Sequence, residues 1–360
     1  MNTLLRMTKD NYEEKLFYNN GGFCVDQEKQ IRLTSGEISQ LNYQYMEESA
    51  SVCALSYFLE KAEDEEIKSV IEHALKLSQS HVQKVSSILT EEKHKIPLGF
   101  SVEGDVDLNA PRLYSDGFVL SFIEQMAGIG LTLLSNSLYT SVRSDITAYY
   151  KECLTETMEL FDMSKDLLLS KGLYIRAPYV AKNNEIEFVK KQAFMWDVIG
   201  EKRPLIASEV ASLYSNIQRN ALGTATLTGF SQVSQSKEAT KFMLRCIEVA
   251  KKHIELFSGK LKESNLPVAM TWDADITTST SYTFSDRLMM YYTTALISLS
   301  VGFYGTSTSV SPRMDLGAMY NRLSLEIQKL SEDGANIMIK NQWLEQPPMA
   351  PNRKDLAKDN

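Results

Sequence analysis

The sequence predicts an all-α protein that is a tandem duplication of an up-down-down-up four-helix bundle. Two observations support this prediction: the chain matches itself at a nearly constant offset, and each copy holds four apolar patterns with helical spacing. The clearest match is RLYSDGFVLSF at 112–122, which returns as YTFSDRLMMYY at 282–292. Both segments pass from aromatic residues through Ser-Asp into a long apolar run.

The self-match extends over most of the chain. At an offset of 172 residues, His81 matches His253; after the turn that precedes Pro97 the offset is 170, so that Ser115 matches Ser285. A two-residue deletion in that turn explains the change of offset. The copies are therefore two units of about 145 residues, which is the size of a domain rather than of a solenoid repeat.

Each unit contains four predicted helices. The first has an amphipathic stripe of Ile38, Leu41, Tyr45, Glu48, Val52, Leu55 and Leu59. The second begins near residue 65 with a stripe of Ile67, Ile71, Ala74, Ser78, His81, Val85 and Ile88. The third is capped by Ser115 and is apolar nearly all round, so we expect it to be central. The fourth follows Ser141, and its counterpart follows Ser311.

The connections predict the topology. A short charged turn at 63–65 joins the first two helices, and Ser/Thr-rich turns join the last two, so each pair forms an antiparallel hairpin. Between the hairpins lies the stretch 94–114, which is rich in Pro and Gly and long enough to run the length of a bundle. Two hairpins joined by one long crossover are typical of the ferritin-like arrangement.

The predicted domain organisation has five parts. An N-terminal tail occupies 1–30, the first bundle 31–178, a packed linker 179–204, the second bundle 205–348, and a C-terminal tail 349–360. The linker is expected to pack because its segment EFVKKQAFMWDVIG is too apolar for a free connection. The two repeats are expected to pack on each other through a continuous apolar interface, imitating a dimer of a single-unit ancestor.

Composition excludes several classes of partner. The net charge of −8 argues against nucleic acid and against an anionic membrane surface. The uncharged stretch 288–312 is long enough to cross a membrane, but its Ser, Thr and Gly content favours a helix surrounded by protein. Four scattered cysteines and the lack of a signal peptide favour a cytoplasmic protein with reduced thiols.

Two Arg-x-Asp motifs begin the fourth helices, where the helix dipole disfavours a cation. We expect structural ion pairs to compensate, Arg143 with Glu37 and Arg313 with Glu209, because the predicted topology brings these residues to one end of each bundle. The functional alternative is an anion site at the same place.

One inward polar residue per helix gives the first bundle a candidate metal site. Glu48 and His81 are equidistant from the turn of their hairpin, and Glu124 and Glu156 are level in the other. Three carboxylates and one imidazole in a bundle core resemble an iron or manganese site. The departures are the missing Glu-x-x-His motif and a shortage of histidine. The structural alternative is a buried hydrogen-bonded cluster that fixes helix register, with no cofactor.

The matched positions of the second bundle are poorer in anionic ligands. Asn220, His253 and Glu326 remain there, with Thr294 in the place of the third carboxylate. We therefore expect a structural polar cluster in the second bundle, and we expect both histidines to be buried in either case.

Several strings together resemble a known family. IGEKRPL, NIQRNALGTATLTGF, AKKHIELFSGKL, LPVAMTWDADIT, SPRMDLGAMYNRL and EDGANIMIKNQWLEQPP are similar to the bacterial domain of unknown function numbered 3231. The resemblance covers roughly residues 30–350. It implies a duplicated ferritin-like fold and an intracellular origin in spore-forming bacteria, where relatives carry the label of proposed spore-coat proteins. The family has no established activity, so the resemblance implies no catalytic residues.

Three classes of function remain. The sequence contains no nucleophile elbow, zincin motif, dinucleotide fingerprint or P-loop, so it favours a non-enzymatic structural protein. The resemblance to the family implies an association of this protein with sporulation. The alternatives are a metal-dependent oxidoreductase or iron-handling protein, and a small-molecule binder that uses a core pocket or the gap between the bundles.

Overall fold

The described chain is helical. The computed structural model describes residues 31–182, 185–186, 188–190, 194–195, 203–268, 272 and 275–353. The helices are α1 (Ser35–Lys61), α2 (Glu65–Glu91), the one-turn α3 (Val102–Asp105), α4 (Asp116–Thr140), α5 (Ser144–Ser170), α6 (Ala207–Val233), α7 (Lys237–Glu263), α8 (Asp286–Ser309) and α9 (Met314–Lys340). No β-strand occurs within these ranges, which confirms the all-α prediction.

The helix bounds repeat the offsets found in the sequence. Helices α1 and α2 begin and end 172 residues before α6 and α7, and α4 and α5 begin 170 residues before α8 and α9. The predicted N-terminal tail, 1–30, lies outside the described residues, as does much of the linker, 179–204. In the linker, the Phe194 ring lies 4.2 Å from the Arg203 guanidinium, and the Met195 carbonyl accepts the backbone N–H of Met314.

Carboxylates at the helix starts reveal the direction of each helix. Asp116, at the start of α4, accepts the backbone N–H groups of Glu63 and Asp64, so α4 begins beside the start of α2 and runs parallel to it. Glu37, in the first turn of α1, accepts the backbone N–H of Arg143, so α5 begins beside α1. The first bundle is therefore up-down-down-up, as predicted.

The second bundle has the same directions. Asp286, the counterpart of Asp116, accepts hydrogen bonds from the hydroxyl of Ser234 and the backbone N–H of Gln235 in the turn between α6 and α7. Glu209, the counterpart of Glu37, accepts the backbone N–H of Arg313 at the start of α9. The tandem duplication predicted from the sequence is confirmed.

The ion pair predicted between Arg143 and Glu37 is wrong. Glu37 closes a capping box with Thr34 and also accepts the backbone N–H of Arg143 at 2.8 Å. The Arg143 guanidinium instead holds Asp145 through two hydrogen bonds of 2.8 Å and reaches Glu92, at the end of α2, at 2.6 Å. Orphan N–H groups at helix starts compete for the buried carboxylate, and the longer Arg side chain reaches past it.

Arg313 and Glu209 do not form the direct side-chain contact that was predicted, although the hydrogen bond with Asp315 and then the charge of Glu209 both help to raise the pKa of Arg313. Glu209 accepts the backbone N–H of Arg313 at 3.0 Å and pairs with the guanidinium of Arg203 at 2.8 Å. The Arg313 guanidinium, which is almost fully buried, pairs with Asp315 at 2.8 Å and lies 3.7 Å from Glu263. These networks tie the ends of three helices together in each bundle.

The two crossovers pair with each other across the repeats. Two antiparallel bridges join them, Val106 with Phe284 and Tyr114 with Ile276. Each bridge joins residues whose counterparts form the other bridge, as a two-fold axis between the repeats requires. The Ser-Asp motif that the sequence repeats therefore lies where the two copies meet.

Each crossover also holds the N-cap serine of the central helix in the other repeat. Ser115 starts α4, and its hydroxyl donates to Asp275 of the second crossover at 2.6 Å. Ser285 starts α8, and its hydroxyl donates to Asp105 of the first crossover at 2.6 Å. The backbone carbonyls of Asp275 and Asp105 accept the N–H groups of the same serines at 2.8 Å. The caps are reciprocal, so the repeats fix each other's central helices.

An apolar core is continuous from one repeat to the other. The largest cluster of buried side chains contains residues of both bundles, which bears out the prediction that the repeats pack on each other. Aromatic rings carry much of the contact: Tyr57 meets Phe284 with ring centroids 5.0 Å apart, and Phe122 meets Tyr292 at 6.4 Å. The Tyr114 hydroxyl donates to the carbonyl of Thr226 in α6.

Helix α4 is the one helix in the described part of the chain that is long and apolar enough to cross a membrane. Half of its most apolar window is buried inside the protein. The central helix of a two-domain core passes the same test of length and composition, so this observation is weak support for a membrane span.

Candidate functional site

His81 lies at the centre of the first bundle between two carboxylates. Its Nδ1 is 2.7 Å from Glu48 of α1, and its Nε2 is 2.9 Å from Glu156 of α5. The imidazole is 5% exposed, whereas the Glu48 and Glu156 side chains are 19% and 31% exposed. The sequence-predicted set thus places three of its four members in contact, and one imidazole joins three helices.

The surroundings of His81 stabilise its charged form. Burial lowers the pKa of His81, but hydrogen bonds to Cys153 and Glu48 and the charge of Glu48 outweigh burial and raise the pKa to about 11. Glu48, His81 and Glu156, which we call the triad, are therefore an imidazolium between two carboxylates. Removing one partner from such a buried network leaves an uncompensated charge.

Cys153 is a member of this cluster that the sequence reasoning did not assign. Its Sγ, a nitrogen of His81 and a carboxylate oxygen of Glu156 all lie within 4.8 Å of one another. The thiol is buried and accepts a long hydrogen bond from Gln44. The spacing of Cys153 and Glu156, three apart on one helix, was the signal that could have identified it.

Glu124 is not part of the cluster, so the four-residue metal set predicted from the sequence is wrong at this position. It lines a different cavity, beside Phe161 and Tyr174, and burial raises its pKa. Because α4 is apolar on nearly every side, its periodicity did not show which face the carboxylate occupies.

The second bundle replaces the triad with a tyrosine-centred cluster. His253 is fully buried, with Nδ1 2.8 Å from the hydroxyl of Tyr304 and Nε2 3.3 Å from Glu326. Asn220 donates to the same hydroxyl at 3.0 Å, so Tyr304 separates Asn220 from the imidazole that the sequence paired it with. Glu326 also pairs with Lys252 at 2.6 Å.

The matched histidines have opposite electrostatic surroundings. Burial lowers the pKa of His253, and the hydrogen bond to Glu326 does not outweigh it. The hydroxyl of Tyr304 offers no negative charge to balance a proton on the ring. His253 is therefore a neutral hydrogen-bonding residue, whereas His81 carries a charge.

Two cavities lie beside these clusters. The larger, of about 180 Å³, touches Glu47, Glu48 and His81 of the first bundle, and one of its sides is formed by α8 of the second bundle, at Tyr291, Tyr292, Ala295, Leu296 and Leu299. The smaller, of about 70 Å³, touches Arg219, Asn220 and His253 and is closed by residues of α4. Each cavity is thus the core of one repeat covered by the central helix of the other.

These features define a class of protein: two fused helical bundles with reciprocal caps, each with a buried histidine cluster and an adjacent cavity. The family described as "Protein of unknown function (DUF3231)" matches residues 25–186 and 193–356, one match for each repeat. The chain belongs to this family.

Beyond the family, one distant similarity is found. No curated protein matches the chain. A solved structure of a "putative spore coat protein" from Bacillus halodurans C-125 is similar at 16% identity and a TM-score of 0.39, covering 43% of this chain and 99% of that one.

Proposed function

We propose that the protein is a non-enzymatic structural protein in which buried histidine clusters fix the register of two fused bundles. The observation that supports this proposal is that both ring nitrogens of His81 and of His253 are bonded to protein groups on other helices. A buried imidazole bonded at both nitrogens specifies one alignment of its neighbours, because any slip of a helix leaves polar groups unpaired.

Metal dependence tests this role. We expect chelator treatment to leave the thermal midpoint of the wild-type protein unchanged, and His81→Gln and His253→Gln to lower it whether metal is present or not. Stoichiometric metal in the purified protein would contradict the proposal if its removal lowered the midpoint of the wild type but not that of His81→Gln.

Synthesis in the cytoplasm and association with spores are parts of the same proposal. Their support is the resemblance to a family of spore-forming bacteria, not a feature of the site. An antibody against the chain, applied to fractions of a sporulating culture of its source organism, tests this part. Enrichment in the spore fraction supports it, and equal amounts in vegetative cells and spores contradict it.

A metal site in the first bundle is the second candidate function. Its support is the convergence of donor atoms from His81, Cys153 and Glu156, with Glu48 placed to orient the ring through Nδ1. Three protein donors leave an open position on a tetrahedral ion, and the thiolate favours zinc or iron over manganese.

The duplication provides an internal control for the metal. Leu323 occupies the place of Cys153 in the second bundle, so one ion per chain is expected. Titration with Co²⁺ should produce thiolate absorption at one equivalent, and Cys153→Ser should remove that absorption. Binding of Co²⁺ that is equal in the wild type and in Cys153→Ser would contradict a site at this cluster.

A further inference from the structure

The larger of the two cavities beside the histidine clusters is an apolar chamber with an acidic wall. Leu55, Ile123, Leu134 and Leu160 of the first bundle line it, together with Leu296 and Leu299 of α8. At about 180 Å³ it exceeds the roughly 150 Å³ of an engineered apolar cavity that holds benzene. A compact organic molecule with one aromatic ring and a short chain fits this volume.

The polar groups of the chamber include two carboxylates. Glu47 and Glu48 both line it, and Glu47 accepts a hydrogen bond of 2.6 Å from Tyr43 at the rim. The Oε1 of Gln44 is buried and unpartnered among the described residues, in a side chain that is 7% exposed. The hydroxyl of Tyr291, from the other repeat, is also buried and unpartnered. A buried acceptor without a donor is costly, so the Gln44 Oε1 marks the place of a ligand donor, whereas the Tyr291 hydroxyl can either donate or accept.

The charge of the chamber is unbalanced. None of the described residues that line it is a lysine or an arginine. Burial raises the pKa of Glu47 to about 7, the hydrogen bond from Tyr43 lowers it, and the charge of Glu48 raises it further. Among the described residues that line the chamber, the one cationic group is His81, which is already bonded to Glu48 and Glu156. Glu47 therefore has no positive partner within this part of the chain.

The matched cavity has the opposite charge. The offset of 172 places Arg219 and Asn220 where the first repeat has Glu47 and Glu48, and both line the smaller cavity. The Arg219 guanidinium lies 3.7 Å from the ring centroid of Phe303. The two chambers occupy matched places in the repeats, each covered by the central helix of the other repeat, and Glu47 in one is replaced by the oppositely charged Arg219 in the other.

We propose that the larger cavity is a binding site for a small organic cation, a protonated amine on a compact apolar body. The ammonium group donates to the Gln44 Oε1 and pairs with Glu47, and the apolar body fills the space against α4 and α8. The site adds a ligand to the structural role proposed above and does not depend on it.

Calorimetric titration with three matched probes tests the proposal. Phenethylammonium, 2-phenylethanol and 3-phenylpropanoate have similar bodies and carry a positive, a neutral and a negative group. We expect one site per chain for the amine, affinity at least about tenfold weaker for the alcohol, and no binding of the carboxylate. Equal affinity for the amine and the alcohol, two sites per chain, or no amine binding at millimolar concentration would overturn the proposal.

Variants locate the site. Glu47→Gln keeps an acceptor for Tyr43 and should weaken amine binding about tenfold. Arg219→Gln, which removes the charge at the matched position of the second repeat, should leave amine binding unchanged. Ala295→Phe, which fills the chamber from α8, should abolish amine binding while the thermal midpoint shows that the protein is folded. Unchanged affinity in Glu47→Gln, or a loss in Arg219→Gln, would place the amine elsewhere and refute the proposal.

Discussion

The two matched histidines should give the protein opposite pH dependences of stability. The pKa of His81 is raised from 6.5 to about 11 in the folded protein. Its stabilising contribution is therefore complete below pH 6.5 and is lost as the pH rises toward 11, because the unfolded chain releases the proton first. The largest possible slope is about 1.4 kcal/mol per pH unit. Partial exposure of Glu156 screens the triad, so we expect a loss of about 1–2 kcal/mol between pH 7 and pH 9.

His253 should act on the acidic side. Its folded-state pKa is lowered, so the unfolded chain takes up the proton first as the pH falls below 6.5. The contribution of His253 is present above pH 6.5 and is lost as the pH falls toward its lowered pKa. His253→Gln should therefore flatten the acidic side of the stability profile, whereas His81→Gln should flatten the alkaline side.

Urea unfolding monitored by circular dichroism, at half-unit steps from pH 5 to pH 9, measures both effects. The informative quantity is the difference in free energy of unfolding between the wild type and each variant. The buried thiols of Cys53 and Cys246 also have raised pKa values and titrate in the alkaline range, but they are common to all three proteins. A difference between wild type and His81→Gln that stays constant from pH 7 to pH 9 would refute the charged triad.

Two further predictions concern the contact between the repeats. Asp105→Ala and Asp275→Ala each remove the carboxylate that accepts the hydroxyl of the N-cap serine in the other repeat, and each should lower the free energy of unfolding by about 1.5–3 kcal/mol. Equal stability of either variant and the wild type in urea would show that the reciprocal caps are unimportant. Gly229→Ala places a methyl group 2.6 Å from the Cζ of Tyr114 and should destabilise the protein by about 1–3 kcal/mol. Gly223→Ala, in the same helix with open space around it, should stabilise by about 0.5–1 kcal/mol, and a reversed order of these midpoints would contradict the packing.

Most of the fold could be read from the sequence because the duplication repeats every signal. The starts of the central helices were visible twice, at Ser115 and Ser285, and the one long crossover in each copy determined the topology. The pairing of the crossovers could not be read, because it depends on how the repeats face each other. Neither the offset nor the hydrophobic periodicity contains that orientation.

Less of the candidate site could be predicted from the sequence. The stripes of α1 and α2 brought Glu48 toward His81, since both lie at equal distance from one turn. They did not show that Cys153 would join the cluster or that Tyr304 would come between Asn220 and His253. Those contacts depend on the relative height of two hairpins, which no turn length determines. The partners of the Arg-x-Asp motifs were predicted wrongly for another reason. A carboxylate near a helix start can accept hydrogen bonds from backbone N–H groups as readily as from a guanidinium group.

The contact between the repeats has diverged so that one copy no longer fits another copy of itself. At two related positions, Tyr114 packs over Gly229, and Phe284 packs against Tyr57 with ring centroids 5.0 Å apart. If the first repeat paired with a copy of itself, Tyr114 would meet Tyr57. The Tyr57 side chain would then occupy the space that Gly229 leaves open for Tyr114 in the fused protein. Self-pairing of the second repeat would set Phe284 over Gly229 and leave a void. The fused pair is therefore complementary in a way that neither self-pair can be.

This divergence predicts the behaviour of the isolated first repeat, residues 31–178. We expect the fragment not to form a stable dimer through its crossover, although it contains both Asp105 and Ser115 for the reciprocal caps. Tyr57→Gly in the same fragment opens the space that Tyr114 requires and should strengthen self-association by at least about tenfold, equivalent to about 1.4 kcal/mol. Analytical ultracentrifugation of the two fragments measures the difference. If the unmodified fragment dimerises as tightly as Tyr57→Gly or more tightly, side-chain divergence at this contact does not determine which repeats pair.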